Sequence, residues 1–441
     1  MKLIRKTKSV CPECFKMIDA FVVEENGKIY MDKECDKHGK FKLLLSFHPK
    51  YYKYLSDFYF SLISQSFPQK DYIVHLTNKC NLNCPICLAN ANVLKIKDYP
   101  FASLKKFLKG KKGFKIDLMG SEPTEREDLP EIIEEINKTG NIAALHTKGI
   151  RLSDFDYLKR LKRSGLKEIH LQFDGFDDYV YEKIRGKKLL NIKLAVLENL
   201  EKLNISTDLV VTIVRGLNEK EMVKVLDYGV KHDFVKEVFF LGCRFLGKAK
   251  ALSIDNCMMP DELIDILESQ TKGRISRANI FKFQKLYYSF LAAFSIRKCF
   301  YIQHFLITRH KNDYIPVDKI FNLEGIQKRL NKFRQLRTGK SRWSFIYFIY
   351  TSILLLIQSR NFGYLKEFLS FGLPFIRGFD LSKLSKKNIL LGFISACDAY
   401  SIDYEIAQNC GKGAISTELG IQDTGAIDNV LRDKMMRTNV E

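Results

Sequence analysis

Between residues 71 and 250, short apolar runs alternate with stretches of helical periodicity, and this alternation constrains the fold more than any other feature. The runs YIVHLT (72–77), FKIDLMG (114–120), IAALHT (142–147), EIHLQFDG (168–175), STDLVVTIV (206–214) and EVFFLG (237–242) are rich in β-branched and aromatic residues and read as strands. Helical patterns fall between them near 101–109, 127–138, 153–164, 189–203 and 218–232. A helix between two strands returns the chain to the same edge, so the strands pair in parallel. The pattern predicts an α/β unit, either a partial barrel or a doubly wound sheet. Both place a working site at the carboxyl ends of the strands.

The polar turns fall where that rule wants them. CNLNCPIC (80–87) follows the first strand, GSEPT (120–124) the second, HTKG (146–149) the third, QFDG (172–175) the fourth and RGLNE (215–219) the fifth. Cys80, Cys84 and Cys87 stand at C-x3-C-x2-C spacing. Thiols this close do not readily pair as disulfides, which leaves metal ligation, redox chemistry or a buried turn.

A second cysteine group lies ahead of this unit. Residues 1–48 carry CPEC, the alternating stretch AFVVEENGKIYM with Asn26-Gly27 as a hairpin turn, and then CDKHG. Two ligand-bearing turns flanking a hairpin predict a rubredoxin- or zinc-ribbon-like module. The spacing C-x2-C-x20-C-x2-H offers Cys11, Cys14, Cys35 and His38 to one tetrahedral ion, iron or zinc. The chain divides accordingly into this module, a linker helix (49–70), the α/β core (71–255) and a C-terminal, substrate-side region (256–441) expected to be mostly helical.

Composition narrows the setting. The first residues, MKLIRKTKSVCPEC, are basic and contain no apolar run of signal-peptide length. Eleven cysteines, an odd number grouped as above with scattered singles, fit metal binding in a reducing cytoplasm better than a disulfide framework. The net charge of +21 implies attraction to something anionic. Lysine dominates and no nucleic-acid-reading motif appears, so an anionic membrane surface touched peripherally ranks above nucleic acid as a partner. Basic runs such as 109–115 and 159–167 read first as solvated helix ends and loops. Downstream, WSFIYFIYTSILLLIQS (343–359) runs 17 residues without a charge, short of the ~20 a spanning helix needs. It reads as a buried helix, a wall of a lipid-chain cavity, an interfacial helix or a span. The nearby YLKEFLSFGLPFIRGF (364–379) is apolar too.

A C-x3-C-x2-C loop after the first strand of a six-strand α/β array resembles the radical S-adenosylmethionine (SAM) superfamily. The resemblance implies a partial (β/α)6 barrel and a 4Fe–4S cluster held by Cys80, Cys84 and Cys87, whose fourth iron is left for SAM. Gly120-Ser121-Glu122-Pro123 resembles the family's GGEP segment and implies binding of the methionyl amino group, with Glu122 as partner of the ammonium and Ser121 in place of a glycine. Gln172 and Asp174 resemble residues facing the SAM ribose or the substrate. Thr147-Lys148-Gly149 is similar to a TNG segment, with Lys148 in place of Asn, VTIVRGLNE (211–219) resembles the region beside the adenine, and Ile86 stands where relatives carry an aromatic residue.

The knuckle module, CNLNCPICLANAN, GSEPT, LQFDG followed by YEKIRG (181–186), and VTIVRGLN together resemble one branch, over about residues 8–265 with fainter traces to about 410. That branch holds archaeal tetraether-lipid synthases and class D radical SAM methyltransferases acting on a pterin. It implies reductive cleavage of SAM to a 5′-deoxyadenosyl radical, hydrogen abstraction from an unactivated C–H bond of a lipid or isoprenoid chain, and an external one-electron donor of the ferredoxin or flavodoxin kind. The alternatives are a methyltransferase acting on a pterin-like heterocycle and a non-catalytic iron–sulfur or zinc interaction protein. Relatives carry further cysteines for auxiliary clusters. Here Cys243, Cys257, Cys299, Cys397 and Cys410 are isolated and read as small buried residues.

Overall fold

The computed structural model describes residues 1–62, 71–93, 96–251, 256–297, 299–338, 385–395 and 397–438. The apolar stretches 343–359 and 364–379 lie outside the described residues.

The N-terminal module is a four-stranded antiparallel meander of β1 (Lys2–Val10), β2 (Met17–Glu25), β3 (Lys28–Cys35) and β4 (Gly39–Ser46). Asn26 and Gly27 make the β2–β3 turn with both φ positive, at 48° and 72°, as a two-residue hairpin twisted with its strands requires. In a meander alternate turns share an end. The β1–β2 and β3–β4 turns therefore bring CPEC and CDKH together opposite the Asn-Gly turn. The helix Pro49–Leu62 follows, buried on Tyr52, Leu55, Tyr59 and Leu62.

The core strands match the expected runs closely: β5 (Asp71–His75), β6 (Lys115–Met119), β7 (Ile142–Thr147), β8 (Glu168–Gln172), β9 (Ser206–Ile213) and β10 (Val235–Gly242). They pair in parallel in sequence order, with no reversal. A doubly wound sheet would show a reversal at a switch point, so the order selects the singly wound, partial-barrel alternative. One face of each strand is apolar: Ile116, Leu118, Leu145, Ile169, Leu171, Leu209, Val211, Val238 and Phe240 are all fully buried under the crossover helices. The helix Leu129–Lys138 answers with Leu129, Ile132, Ile133 and Ile136, an i, i+3, i+4, i+7 stripe.

The C-terminal region supplies the helices Pro260–Gln270, Arg277–Ala293, Leu323–Thr338 and Gly425–Thr438, and also strands that the sequence reading did not expect. β11 (Gln303–His310), β12 (Asp313–Pro316), β13 (Asn388–Ser395), β14 (Lys412–Ser416) and β15 (Gly420–Gln422) join the core in one eleven-stranded sheet ordered β12-β11-β13-β10-β9-β8-β7-β6-β5-β14-β15. β13 pairs parallel to β10 and β14 parallel to β5, so both edges of the six-strand unit are covered. Among the described residues no helix is long and apolar enough to cross a membrane.

Candidate active site and metal knuckle

In the knuckle the ligand atoms of Cys11, Cys14, Cys35 and His38 lie within 4.8 Å of one another. His38 Nδ1 is 3.5 Å from both Cys11 Sγ and Cys35 Sγ, and Cys14 Sγ is 3.9 Å from Cys35 Sγ. Tetrahedral bonds to zinc of ~2.3 Å from sulfur and ~2.0 Å from nitrogen imply edges of about 3.8 Å for S···S and about 3.5 Å for S···N, so the donor set fits one ion. Peptide N–H groups point at two of the thiols, although burial pushes the Cys11 thiol up. Glu13 donates to Cys11 Sγ at 3.4 Å, and the N–H of Lys37, aided by His38, pulls the Cys35 thiol down to about 6.

The C-x3-C-x2-C loop lies beyond the carboxyl end of β5. It has no regular structure, and side-chain bonds hold its shape. Asn92, at φ 65°, donates from Nδ2 to Cys80 O and accepts from Cys80 N through Oδ1, both at 2.9 Å. Leu82 N and Ala91 N donate to Cys80 Sγ and Cys87 Sγ, each at 3.4 Å. Cys84 is buried, while Cys80 and Cys87 are half-buried. Cys84 and Cys87 line a cavity of about 230 Å³ at the carboxyl edge of the sheet, with Met119, Gly120, Lys148, Arg185, Thr212 and Cys243. Cys84 and Cys87 thus reach the wall, Cys80 and Cys87 meet backbone donors, and three thiols on one loop are the kind of donor a 4Fe–4S cluster takes.

Gly120 brings the GSEPT turn against the cysteine loop. Its φ is 125°, and a Cβ there would stand 2.5 Å from Thr77 O, so only glycine fits. Ser121 N donates to Thr77 O at 2.8 Å, and its hydroxyl to Asn78 Oδ1 at 3.2 Å, which gives Ser121 a structural use. Pro123 opens a short 3-10 turn, Pro123–Glu125. Glu122 is bonded to its own turn and to the next one. Its side chain is fully buried and accepts from Thr124 N–H at 3.2 Å, the Thr124 hydroxyl at 2.7 Å, the Thr147 hydroxyl at 2.6 Å and Lys148 N–H at 2.8 Å. The carboxylate ties the second and third strand turns together.

Gln172 and Asp174 are likewise turned inward. Asp174 is fully buried and holds Arg185 bidentately, Nε at 2.7 Å and one Nη at 2.9 Å, while also accepting from Thr212 N–H at 3.1 Å and from the Gln172 amide. Gln172 Oε1 accepts from Lys193 Nζ at 2.9 Å. These two residues hold the cations of Arg185 and Lys193. Arg185 reaches the cavity beside Cys84 and, like Arg244 and Arg432, is a site residue that sequence reading missed. Its signal was present: Arg185, within YEKIRG, sits eleven positions past Asp174, at the last turn of the helix Asp178–Arg185. Lys193, fully buried, is brought down to about 7 by burial.

The cavity wall carries Lys148, Arg185, Arg244 and Arg432 with His75, and no carboxylate among the described residues. Asp174, Asp398 (2.9 Å from Arg244) and Glu418 (3.3 Å from Arg432) stand behind three of these cations. Cys243 also opens on this cavity instead of filling the main core. Below it the barrel interior is charged. His170 lies between Asp208 Oδ2 at 2.6 Å and Glu168 Oε1 at 2.9 Å, and stacks on His146 at 4.0 Å. Lys115 pairs with Glu168, and Lys412 with Asp117. Burial, then the charge of His170, presses His146 down to about 3. Burial also opposes charge on His170, but Asp208 and Glu168 outweigh it and raise the group to about 9.

Comparison with known proteins agrees with this geometry. Residues 74–229 match the radical SAM superfamily, and residues 3–46 match the HMPTM N-terminal zinc ribbon domain. The chain is 35% identical over 308 residues to a 7,8-dihydro-6-hydroxymethylpterin dimethyltransferase of Methanocaldococcus jannaschii, covering 63% of this chain and 61% of that protein. It is 30% identical over 170 residues to a GTP 3′,8-cyclase of Nautilia profundicola, covering 36% of this chain and 52% of the relative. The match thus spans less than two thirds of either relative. Among solved structures, that of Streptococcus suis SuiB aligns with a TM-score of 0.39 and 13% identity over 51% of this chain and 50% of that one.

Proposed function

We propose that this chain, a radical SAM protein through residues 74–229 with a zinc ribbon at residues 3–46, cleaves SAM reductively and uses the radical on a compact heterocycle of the pterin class. The observation that carries the reading is the cavity at the carboxyl edge of a singly wound parallel sheet, with Cys84 and Cys87 in its wall. Cys80, Cys84 and Cys87 hold the cluster. When bound, a 4Fe–4S cluster with one iron free of protein ligands supplies the electron that breaks SAM and yields a radical able to take hydrogen from an unactivated C–H bond.

The chain's own groups prepare the place. Gly120 lets the GSEPT turn close on Thr77, Glu122 fixes that turn to Lys148, and Asp174 holds the Arg185 guanidinium beside Cys84. The small cavity and its cationic wall favour a compact polar substrate, as does the relative named for a pterin. An external one-electron donor completes the system.

A second reading, a lipid or isoprenoid chain as substrate, is supported by the apolar part of the same wall, Ile86, Leu88, Leu241, Leu246 and Met436, and by the net charge of +21, which suits an anionic surface. The first test is anaerobic reconstitution of the full chain and of Cys84→Ala. The variant should lose the broad iron–sulfur absorption and 5′-deoxyadenosine formation together; retained 5′-deoxyadenosine would end the assignment. Mass spectrometry of turnovers with 6-hydroxymethyl-dihydropterin, beside lipid analysis of cells with and without the protein, then separates the two substrates.

A further inference from the structure

We infer that the metal knuckle anchors the cluster loop: it holds the end of the helix Gly425–Thr438, and through Asp433 and segment 244–248 it positions Cys87. The inference rests on the reading that Cys87 is a cluster ligand.

The contacts form one continuous path. Arg437 donates to the carbonyl of Pro12, between Cys11 and Cys14, and its guanidinium sits 4.7 Å over the ring of Phe15, the residue after Cys14. The same guanidinium bonds Asp433 one turn back at 3.0 Å. Asp433 Oδ1 accepts from Gly247 N–H at 3.4 Å, and the next amide, Lys248 N–H, donates to the carbonyl of Cys87 at 2.9 Å. Gly247 is at φ 55°, and a Cβ there would lie 2.7 Å from Leu88 O, so the two loops touch backbone to backbone.

A second route runs in parallel. Phe41 of β4 packs on Tyr400 at 6.3 Å, and Tyr400 packs edge-on against Phe245 at 5.4 Å. A third passes through Lys33, buried in β3, whose ammonium reaches Ala399 O at 2.7 Å next to Asp398, the partner of Arg244. All three leave the ribbon and end on segment 244–248. A loop without regular structure keeps its shape only if its neighbours are fixed, and a bound ion rigidifies the turn to which Arg437 is docked. Arg437 and Asp433 are positioning residues, acting on the cluster through Gly247 and Lys248.

The test uses the full chain with zinc and cluster loaded. Arg437→Ala keeps all four knuckle ligands. Hydrogen exchange at the Lys248 amide should rise at least tenfold, with strands β5 to β8 unchanged, and the EPR signal of the reduced cluster should shift or broaden. Arg437→Lys, which can still reach Pro12 O, should restore most of the protection and the native EPR signal. Cys11→Ser should lose one zinc equivalent and produce the same local opening at Lys248. Unchanged Lys248 exchange in Arg437→Ala, or a rise spread equally over the sheet, overturns the inference. If Lys248 responds but Cys84→Ala keeps its full iron content, the cluster reading fails and the inference loses its destination; if Cys84→Ala loses iron while Lys248 stays silent, the inference alone fails.

Discussion

At the scale of single residues, the site is set by groups that do not themselves face the cavity. Asp174 illustrates this, since it holds the cavity-lining Arg185 from behind, and a buried pair is costly to break from one side. Arg185→Ala should destabilise the chain by roughly 3–5 kcal/mol in urea unfolding, because the Asp174 charge would be left in a sealed interior; a cost below about 1 kcal/mol would mean that water reaches Asp174. Gly120→Ala meets both a forbidden φ and the Thr77 carbonyl, and should cost ~2 kcal/mol or more while weakening SAM binding, read by equilibrium dialysis on the reconstituted protein. Both the glycine and the acidic residue of GSEPT were legible as a motif. Their division of labour was not, because whether a carboxylate faces a ligand or a neighbouring turn depends on Thr147 and Lys148, which lie on another strand.

Among elements, the inward faces of β6 to β9 matter most. These strands read from the sequence as apolar runs, yet the inward positions hold Lys115, Asp117, His146, Glu168, His170 and Asp208. Two histidines in this network titrate in opposite senses. His170, raised to about 9, contributes stability that is complete below the unfolded value of about 6.5 and is lost as pH rises through 9. His146, lowered to about 3, is buried neutral, so stability is lost as pH falls below about 6.5 toward 3. Thermal unfolding of the chain should therefore give a Tm maximum near neutral pH with losses on both sides. A Tm flat between pH 6.5 and 9 would show that His170 is not held as an imidazolium by Asp208 and Glu168.

For the molecule as a whole, the six-strand unit is not a free-standing sheet. β13 caps the edge of β10 from 153 residues further along the chain, and β14 caps that of β5 from 341 residues further along. A chain ending at residue 251 would expose both edges as unpaired backbone. Such a truncation should aggregate or behave as a molten species in gel filtration and near-UV circular dichroism, even though it retains the knuckle and the CNLNCPIC, GSEPT and HTKG turns. A monomeric, cooperatively unfolding truncation would show that the core is autonomous. The helix Gly425–Thr438 makes the same point, since Asn429, Arg432 and Met436 complete the cavity wall and Arg437 joins it to the ribbon.

The sequence by itself determined what depends on near neighbours: the six core strands, the helices between them, the four-ligand knuckle, the cysteine loop and the turns at one edge. Each is written in a spacing of a few residues, where periodicity and turn chemistry act directly. Only the tertiary structure decided that the array is singly wound, that β13 and β14 flank it, which internal partners Glu122, Gln172 and Asp174 bond, and that Arg185 stands beside Cys84. Those outcomes depend on burial and on pairing between distant segments, where the free energy of a carboxylate or a strand edge is set by what the fold brings against it.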